Sequence, residues 1–221
     1  MAHMVFGNPI TEETLKGMPE YLNKTTTTIT DKAHMALIMK NVAEAQAFEY
    51  MESLKKEMCD CDGVITLGSI YNATGGTITY SVKHDFSGKL AAPSTYPAKI
   101  ENGQYAVFKH EETSGKNPGS CGAVVYWGTN KDDKACDWMF SWSNPTSEDN
   151  KVFTEIAEHG HYKANYNDCT WDDVHEKLSN SGTTSAFEWK GCDSSMTSTP
   201  SDDVKLRVLV CATATLDIAK A

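Results

Sequence analysis

The chain has 221 residues, of which 40% are hydrophobic and 23% are charged, which is the composition of an ordinary globular domain. Its formal net charge of −10 argues against nucleic acid and against an anionic membrane surface as partners, because both require clustered Lys and Arg residues. No apolar run approaches the length of about 20 residues that a membrane-spanning helix needs.

The beginning of the chain and its cysteines predict a cellular compartment. The first residues, MAHMVF, contain no apolar stretch of the kind a signal peptide needs, so we expect a cytoplasmic protein. The seven cysteines are an odd number and form no repeated C-x-x-C pair, which favours free thiols in a reducing compartment. We therefore predict that all seven are reduced in the cell.

Two helices are predicted before residue 62. Thr11 has the position of an N-cap, acidic residues follow it, and Gly17 ends this short helix. A long helix is predicted at residues 32–58, with Asp31 as its cap. The apolar positions that recur along it at three- and four-residue steps include Ile38, Val42, Ala45, Met51 and Leu54. We expect this stripe to pack on a sheet; a membrane-inserting or partner-binding face is the alternative.

Beyond residue 63 the sequence changes to short β-like runs separated by turn residues, the pattern of an antiparallel sandwich or barrel. Runs at residues 64–72 and 77–82 flank Gly75 and Gly76 and predict a hairpin with a tight turn. A further strand is predicted near residues 105–110.

The stretch 119–145, GSCGAVVYWGTNKDDKACDWMFSWSNP, predicts a second hairpin, at the centre of a sheet. Apolar and small residues alternate on both sides of a charged turn at residues 130–134. Three aromatic residues of the second strand point to one face, which we expect to build core: Trp138, Phe140 and Trp142. The other face carries Met139 and two serines, and could meet a ligand.

Two histidines follow the next predicted strand, at residues 152–156. His159 and His161 are two apart on what we expect to be extended chain, so they would share one face. This makes them weak candidates for metal ligands, because no third ligand is identifiable by spacing. No cofactor is expected.

The last part of the chain predicts one helix and two strands. Thr170 has the position of an N-cap for a short helix whose apolar face includes Trp171. Strands are predicted near residues 187–190 and at residues 204–211, with a Ser/Thr-rich loop at residues 194–201 between them. The whole pattern amounts to about eight strands.

Sequence patterns of the common catalytic classes are absent. There is no G-x-S-x-G and no Gly-rich loop that opens a helix. A Cys–His nucleophile stays open, because its two members need only be adjacent in space.

Several motifs, in order, resemble the 23 kDa jasmonate-induced proteins of plants. They are VFGNPIT, YNATGGT, GSCGAVVYWG, CDWMFSWSNP, VFTEI and EHGHY. The resemblance covers nearly the whole chain. It implies a stress- and hormone-responsive setting, because no biochemical activity is agreed for those proteins.

A more distant resemblance, over about residues 65–216, is to the actinoporin-like cytolysins. Residues 86–88, 119–126, 140–141 and 171–179 are similar to the four places that surround a phosphocholine head group in those toxins. The ligand pocket that this resemblance implies consists of Ser87, Cys121, Ser141, Ser143, Trp171, His175 and Glu176.

Two departures from the toxins bear on function. Where the toxins use tyrosine faces to hold choline, only Trp171 is aromatic here, and His175 and Glu176 make the implied pocket more polar. The exposed tryptophan loop of the toxins is replaced by TSEDNK at residues 146–151, which has two acids and no aromatic ring. We therefore do not expect stable membrane insertion.

These observations predict a mainly β protein with flanking helices, namely an actinoporin-like β-sandwich at residues 63–221 with an N-terminal helical extension at residues 1–62. The predicted function is that of a non-catalytic, stress-responsive binding protein for a lipid head group, a sugar or a small metabolite. The alternatives are a membrane-active, pore-forming-like defence protein and a storage or catalytic protein with an unrecognised site.

Overall fold

Two β-sheets are stacked face to face, and helices cover the outer face of each sheet. The structure is a computed structural model, and it describes residues 4–57, 63–113, 119–163, 169–199 and 207–216. The described helices are α1 (Glu12–Lys16), α2 (Ile29–Glu57) and α3 (Cys169–Ser179), with a short 3-10 turn at Pro19–Tyr21. The described strands are β1 (Val5–Phe6), β2 (Ile65–Ala73), β3 (Ile78–Ser87), β4 (Lys89–Leu90), β5 (Lys99–Ile100), β6 (Tyr105–Glu111), β7 (Ser120–Thr129), β8 (Ala135–Asn144), β9 (Lys151–Glu158), β10 (Thr184–Trp189), β11 (Cys192–Ser198) and β12 (Arg207–Leu216).

The described strands form one sheet of seven and one sheet of five. The order in the seven-stranded sheet is β1-β6-β2-β12-β11-β10, with β4 beside β6, and the order in the five-stranded sheet is β5-β3-β7-β8-β9. Strands β2 and β12 run parallel, whereas the other pairs are antiparallel. The prediction of a mainly β protein with flanking helices is confirmed, with more strands than the sequence pattern predicted.

Three apolar clusters hold the layers together. The first lies between the two sheets and contains the predicted aromatic face, Trp138, Phe140 and Trp142, each at most 1% exposed. The second lies between α2 and the seven-stranded sheet. The third lies between α3 and the five-stranded sheet. Because burying one large apolar side chain contributes about 1.5–3 kcal/mol, the aromatic cluster between the sheets is a main source of stability.

The hairpin predicted at residues 119–145 is confirmed as β7 and β8. The two strands pair along their whole length, from Ser120 opposite Asn144 to Thr129 opposite Ala135. β3 and β9 flank them, so the hairpin is the middle of the five-stranded sheet. The second face of β8 differs from the prediction, because Met139 lies under α3 and is fully buried.

Helix α2 packs on the seven-stranded sheet mainly through small side chains. It begins at Ile29, before the predicted cap Asp31, because the Thr28 amide donates to Asp31 Oδ2 (2.9 Å) and the Asp31 amide donates to Thr28 Oγ1 (3.1 Å). The buried helix residues that face this sheet are Met35, Ala36, Ala43, Ala47 and Met51. Alanine allows a close approach: a Cβ placed on Gly7 would lie 2.7 Å from Cβ of Ala43.

The predicted apolar stripe of α2 is therefore wrong in part. Ile38 and Val42 are 61% and 67% exposed, and Ala45 is exposed as well. Met51 does face the sheet, as expected. The physical reason lies in the sheet surface, where Tyr71 stands under the helix and donates its hydroxyl to the Ala36 carbonyl. Small helix residues pack best against such a bulky surface. The hydrophobic periodicity of α2 alone does not predict this, because it favours the larger apolar residues.

The predicted hairpin around Gly75 and Gly76 is wrong, because its two runs belong to different sheets. β2 pairs with β6 and β12, whereas β3 pairs with β5 and β7. Gly75 has a φ of 76°, and a Cβ there would lie 2.0 Å from the carbonyl oxygen of Ile29. The chain thus crosses between the sheets directly beneath the start of α2, where only glycine fits.

The Ser/Thr-rich segment predicted as a loop at residues 194–201 instead forms most of β11. Its side chains alternate, with Met196 buried and Ser195 exposed. The buried Ser194 is satisfied by a hydrogen bond from the Thr154 hydroxyl on the opposite sheet (2.9 Å). The strand predicted near residues 187–190 is confirmed within β10. Residues 204–206 of the last predicted strand lie outside the described residues, and β12 begins at Arg207.

The predicted N-terminal extension, residues 1–62, supplies β1, α1 and α2. Thr11 caps α1 as expected, because its hydroxyl accepts from the Thr14 amide (3.3 Å). β1 pairs with β6, so the extension adds an edge strand to the sandwich as well as a packed helix. Residue 58, the predicted end of the long helix, and residue 62, the predicted boundary, lie outside the described residues, and the division into two units stays a prediction.

Candidate functional site

Four neighbouring strands place polar side chains in one row at one end of the five-stranded sheet. Ser87 of β3 is opposite Cys121 of β7, Cys121 is opposite Ser143 of β8, and Ser143 is opposite Lys151 of β9. Directly opposed residues point to the same face of a sheet, and here it is the outer face that also carries α3. The structure therefore brings together three predicted residues, and Lys151 completes what we call the polar row.

The Cys121 thiol is held in its neutral form. Cys121 is 8% exposed, whereas Ser87 and Ser143 are half-buried. Burial raises the pKa of Cys121 to about 11, although a hydrogen bond with the Ser143 side chain lowers it in part. Because the thiolate is the nucleophilic form, this thiol is a poor nucleophile at neutral pH. Apart from the ammonium of Lys151, the row therefore presents neutral hydrogen-bonding groups.

A glycine turn fixes Ser87 at the end of the row. Gly88 has a φ of 87°, and a Cβ there would lie 2.5 Å from the carbonyl oxygen of Glu111. The turn is pressed against β6, so no larger residue fits. The Ser87 hydroxyl donates to the carbonyl of Gly119 (3.2 Å), which holds its side chain beside the start of β7.

Lys151 closes the opposite end of the row. Its ammonium donates to the carbonyl of Ser179 (2.8 Å) and lies 3.6 Å from the carboxylate of Glu148. A cation at the C-terminus of a helix interacts favourably with the helix dipole, so these contacts also anchor α3. The positive charge at this end of the row is thus already matched by protein groups.

Aromatic rings flank the Ser87 end of the row. The Phe86 ring is half-buried, and its centroid lies 4.8 Å from the ring of the exposed His175. His84 contacts Phe86 at 4.6 Å and stacks on Trp171 at 4.8 Å with an interplanar angle of 13°. Phe86 lies in the same sequence motif as Ser87, residues 86–88. Its contact with His175 depends on the position of α3, which the sequence pattern does not predict.

Three of the predicted pocket residues occupy other positions. Ser141 is fully buried, and its hydroxyl donates to the Phe153 carbonyl (2.8 Å), so it does not face solvent. Trp171 is 8% exposed and packs in the cluster under α3. Glu176 is exposed on α3, where its backbone carbonyl accepts from the Asn180 side chain (3.0 Å). The predicted set is therefore only partly a surface site.

The predicted amphipathic character of α3 is confirmed, with a small shift of its start. The helix begins at Cys169, one residue before the predicted N-cap Thr170. Its apolar residues Trp171, Val174 and Leu178 are buried against the sheet. Lys177 adds a polar anchor, since it contacts Glu155 at 3.0 Å.

His159 and His161 do not share one face as predicted, because they lie in a turn after β9 and not on extended chain. His159 Nδ1 lies 2.9 Å from Asp137 Oδ1, and the amide of Gly160 donates to Asp137 Oδ2 (2.8 Å). His161 is exposed and packs edge-on against Tyr162 at 4.7 Å. The buried Asp137 thus organises the turn. The described residues contain no group of three or more His, Cys, Asp and Glu side chains that could hold a metal ion.

A buried chain of Asp85, His110 and Ser120 runs between the two sheets, and the sequence pattern did not indicate it. His110 Nε2 lies 3.4 Å from Asp85 Oδ1, and His110 Nδ1 lies 2.8 Å from Ser120 Oγ. The same serine contacts Thr66 Oγ1 at 2.8 Å. Although these residue types resemble a hydrolase triad, His110 and Ser120 are fully buried, so no substrate reaches the hydroxyl. The chain links β3 and β7 to β6 and β2.

The charged segment at residues 146–151, which the predicted resemblance to the toxins matches to their tryptophan loop, carries exposed acids. Glu148 and Asp149 are exposed, whereas Asn150 is buried and donates to the Thr199 carbonyl (3.1 Å). Among the described residues, no helix is long and apolar enough to cross a membrane.

Sequence relatives support the resemblance to jasmonate-induced proteins. The 23 kDa jasmonate-induced protein of Hordeum vulgare is 37% identical over 189 residues, which cover 84% of this chain and 86% of that protein. A jasmonate-induced protein homolog of Atriplex canescens is 29% identical over 114 residues, or 50% of this chain and 58% of that protein. This resemblance is confirmed, whereas the more distant one to actinoporin-like cytolysins stays a prediction.

A solved structure and a family model agree on one family. The crystal structure of the lipid binding protein Nakanori superimposes with a TM-score of 0.83 at 31% sequence identity, and the match covers 96% of this chain and 99% of that one. The sequence model of the Nakanori-like proteins matches residues 6–212. The chain therefore belongs to the Nakanori-like protein family.

Proposed function

We propose that this chain is a non-catalytic binding protein of a plant stress response and that it binds the polar head group of a lipid at the polar row. The observation that carries the proposal is the alignment of Ser87, Cys121 and Ser143 across three strands beside the rings of Phe86 and His175. A rigid surface with few convergent polar groups and an adjacent ring is typical of a small-ligand site.

The similarity to Nakanori supports a lipid as the ligand. Nakanori is a lipid binding protein, and it matches this chain over 96% of its length. The names of the plant relatives refer to induction by jasmonate and to no catalytic activity. A glycan or a small metabolite uses similar hydrogen-bonding groups, so it belongs among the compounds to be tested.

The chemistry of the row favours an uncharged or zwitterionic head group over an anionic one. Hydroxyl groups such as those of Ser87 and Ser143 donate hydrogen bonds to phosphate oxygens. An aromatic face such as that of Phe86 attracts a quaternary ammonium group. Anionic lipids are instead recognised by clustered cations, and the ammonium of Lys151 already contacts Glu148 and the Ser179 carbonyl.

The experiment is co-sedimentation of the full chain with vesicles of phosphatidylcholine, sphingomyelin or phosphatidylserine, in parallel with a glycan array. We expect binding to the choline lipids, weakened about tenfold by Ser87→Ala, Ser143→Ala or Phe86→Ala, which corresponds to the loss of one hydrogen bond or ring contact. Ser195→Ala is the matched control, because it removes an exposed strand serine from the other sheet.

Two results would contradict the proposal. The first is binding to glycans without binding to vesicles. The second is vesicle binding that the three row variants leave at the level of Ser195→Ala, because the lipid would then occupy another surface. Circular dichroism spectra of the variants are the control that checks whether each variant keeps the fold.

A further inference from the structure

Two buried thiols face each other across the sandwich, away from the polar row. Cys136 lies on β8 of the five-stranded sheet, and Cys192 is the first residue of β11 in the seven-stranded sheet. Their sulfur atoms are 3.5 Å apart, and the residues are 1% and 0% exposed. Both belong to the apolar cluster between the sheets. A thiol–thiol contact therefore joins two strands that share no backbone pairing.

We propose that Cys136 and Cys192 are an oxidation site at which a peroxide-class oxidant forms a disulfide between the two sheets. A disulfide requires a sulfur–sulfur distance of about 2.05 Å, so the two sulfur atoms must approach by about 1.5 Å. Rotation of two side chains with a small strand shift covers this distance. The inference is independent of the lipid-binding proposal, because it uses none of the residues of the polar row.

The positions of the two cysteines next to turns give the backbone room to adjust. Cys136 follows the exposed turn at residues 131–134, and Cys192 follows Lys190 and Gly191, which have φ values of 48° and 76°. The side chain of Asn130 donates to the Lys190 carbonyl (3.2 Å), so a hydrogen bond already joins the two turns that precede the cysteines. Local opening of such turns requires less free energy than opening of a central strand, and it exposes the pair to oxidant.

The reaction balances with hydrogen peroxide as the oxidant. One thiolate attacks a peroxide oxygen, the O–O bond breaks, and a sulfenic acid and one water molecule form after proton transfer. The second sulfur then attacks the sulfenic sulfur, the S–S bond forms, and the hydroxyl group leaves as a second water molecule. The two thiols lose two electrons and two protons in total. The hydrogen bond with Cys136 and burial both raise the pKa of Cys192, so we expect the first step to be slow.

The bond would close a covalent ring that contains part of the proposed binding surface, namely Ser143, Lys151 and His175. Residues 136–192 include β9, β10 and α3, and the two cysteines are 56 positions apart. Cross-linking across a segment of this length restricts the unfolded chain. We expect the oxidised protein to melt about 5–15 °C above the reduced protein.

In the test, the folded protein is oxidised with hydrogen peroxide. The remaining thiols are then alkylated, and the peptides are mapped without reduction. We expect one cross-linked peptide pair containing Cys136 and Cys192, a monomer on a non-reducing gel, and a raised melting temperature that dithiothreitol reverses. Cys136→Ala and Cys192→Ala should abolish the rise. Cys211→Ala, which removes a half-buried thiol of β12, should keep it.

The proposal is overturned if both cysteines are recovered in alkylated form after peroxide has consumed other thiols, or if they pair with different partners. A cross-link that lowers the melting temperature would also overturn it, because the bond would then strain the sandwich. Peptide mapping of the unmutated chain reads the bond directly, so the result stands even if an alanine variant does not fold.

Discussion

At the scale of single residues, Asp85 connects the pH of the solution to the stability of the sandwich. Burial raises the pKa of Asp85, but hydrogen bonds with His110 and Lys83 outweigh this effect and bring the pKa below its ordinary value. A carboxyl with a lower pKa in the folded state stabilises the fold above its ordinary pKa, and this contribution is lost as the pH falls through the folded-state pKa.

We predict that Asp85→Asn lowers the free energy of unfolding at pH 7 by about 1–2 kcal/mol, because the variant loses the charge that His110 and Lys83 contact. The gap between variant and wild type should narrow as the pH falls below about 4, where the wild-type carboxyl takes up a proton. Urea unfolding at several pH values measures both effects. The control is Asp149→Asn in an exposed turn, and a gap that stays constant down to about pH 2 would contradict the prediction.

At the scale of elements, α2 shows how a helix chooses its buried face. Its sheet-facing side is rich in alanine, whereas Ile38 and Val42 face solvent. The sheet beneath it carries Tyr71 and Tyr105, which donate hydrogen bonds to the Ala36 carbonyl and to Glu44. Close packing of interiors explains why the smaller residues are inside, since the tyrosine rings and the Gly7 backbone come close to this side of the helix.

Adjacent residues of α2 make this interpretation testable. We predict that Ala43→Leu destabilises the protein by about 1–3 kcal/mol, because the Gly7 backbone passes so close to Ala43 that even a Cβ on Gly7 would lie 2.7 Å from Ala43 Cβ. Val42→Gln, one position earlier and on the exposed side, should change stability by no more than about 0.5 kcal/mol. Thermal or urea unfolding distinguishes the two. Strong destabilisation by Val42→Gln together with little effect of Ala43→Leu would mean that α2 buries the face that its hydrophobic periodicity predicts.

At the scale of the whole molecule, the attachment of α2 bears on whether the protein perforates membranes. Burial of its sheet-facing residues opposes detachment by on the order of 5–10 kcal/mol. Polar contacts add to this, including Lys40 Nζ to Thr213 Oγ1 (3.1 Å) and the Gly7 amide to Gln46 Oε1 (3.2 Å). The exposed acids Glu148 and Asp149 further disfavour a membrane interface.

We predict that the intact protein binds phosphatidylcholine or sphingomyelin vesicles without releasing trapped calcein, at micromolar protein and neutral pH. Fluorescence dequenching measures the release, and detergent gives the complete signal. Sedimentation of the same samples shows that the protein is bound, so that a lack of release is informative. Dose-dependent release by bound protein would favour the pore-forming alternative over simple head-group binding.

Features that depend on neighbouring residues alone could be predicted from the sequence. Alternation placed β7 and β8 and pointed Trp138, Phe140 and Trp142 to the core, because strand side chains must alternate whatever surrounds them. Cap chemistry placed Thr11 at the start of α1. Motif order was enough to recognise the family resemblance that the relatives confirm.

Which elements contact each other could not be predicted from local pattern and became known from the three-dimensional fold. Gly75 between two β runs has the pattern of a hairpin, but its role is to let the chain pass beneath Ile29, on an element far away in the sequence. Ser194 lies in a segment whose composition predicts a loop. It is nevertheless buried in a strand, because the Thr154 hydroxyl on the other sheet donates a hydrogen bond to it. The candidate site is a further example. Ser87, Cys121 and Ser143 were found by motif, but the burial of Ser141 and the contact of the half-buried Phe86 with His175 depend on where α3 lies. Contacts between distant segments carry no local periodicity, so no reading of neighbouring residues could have supplied them.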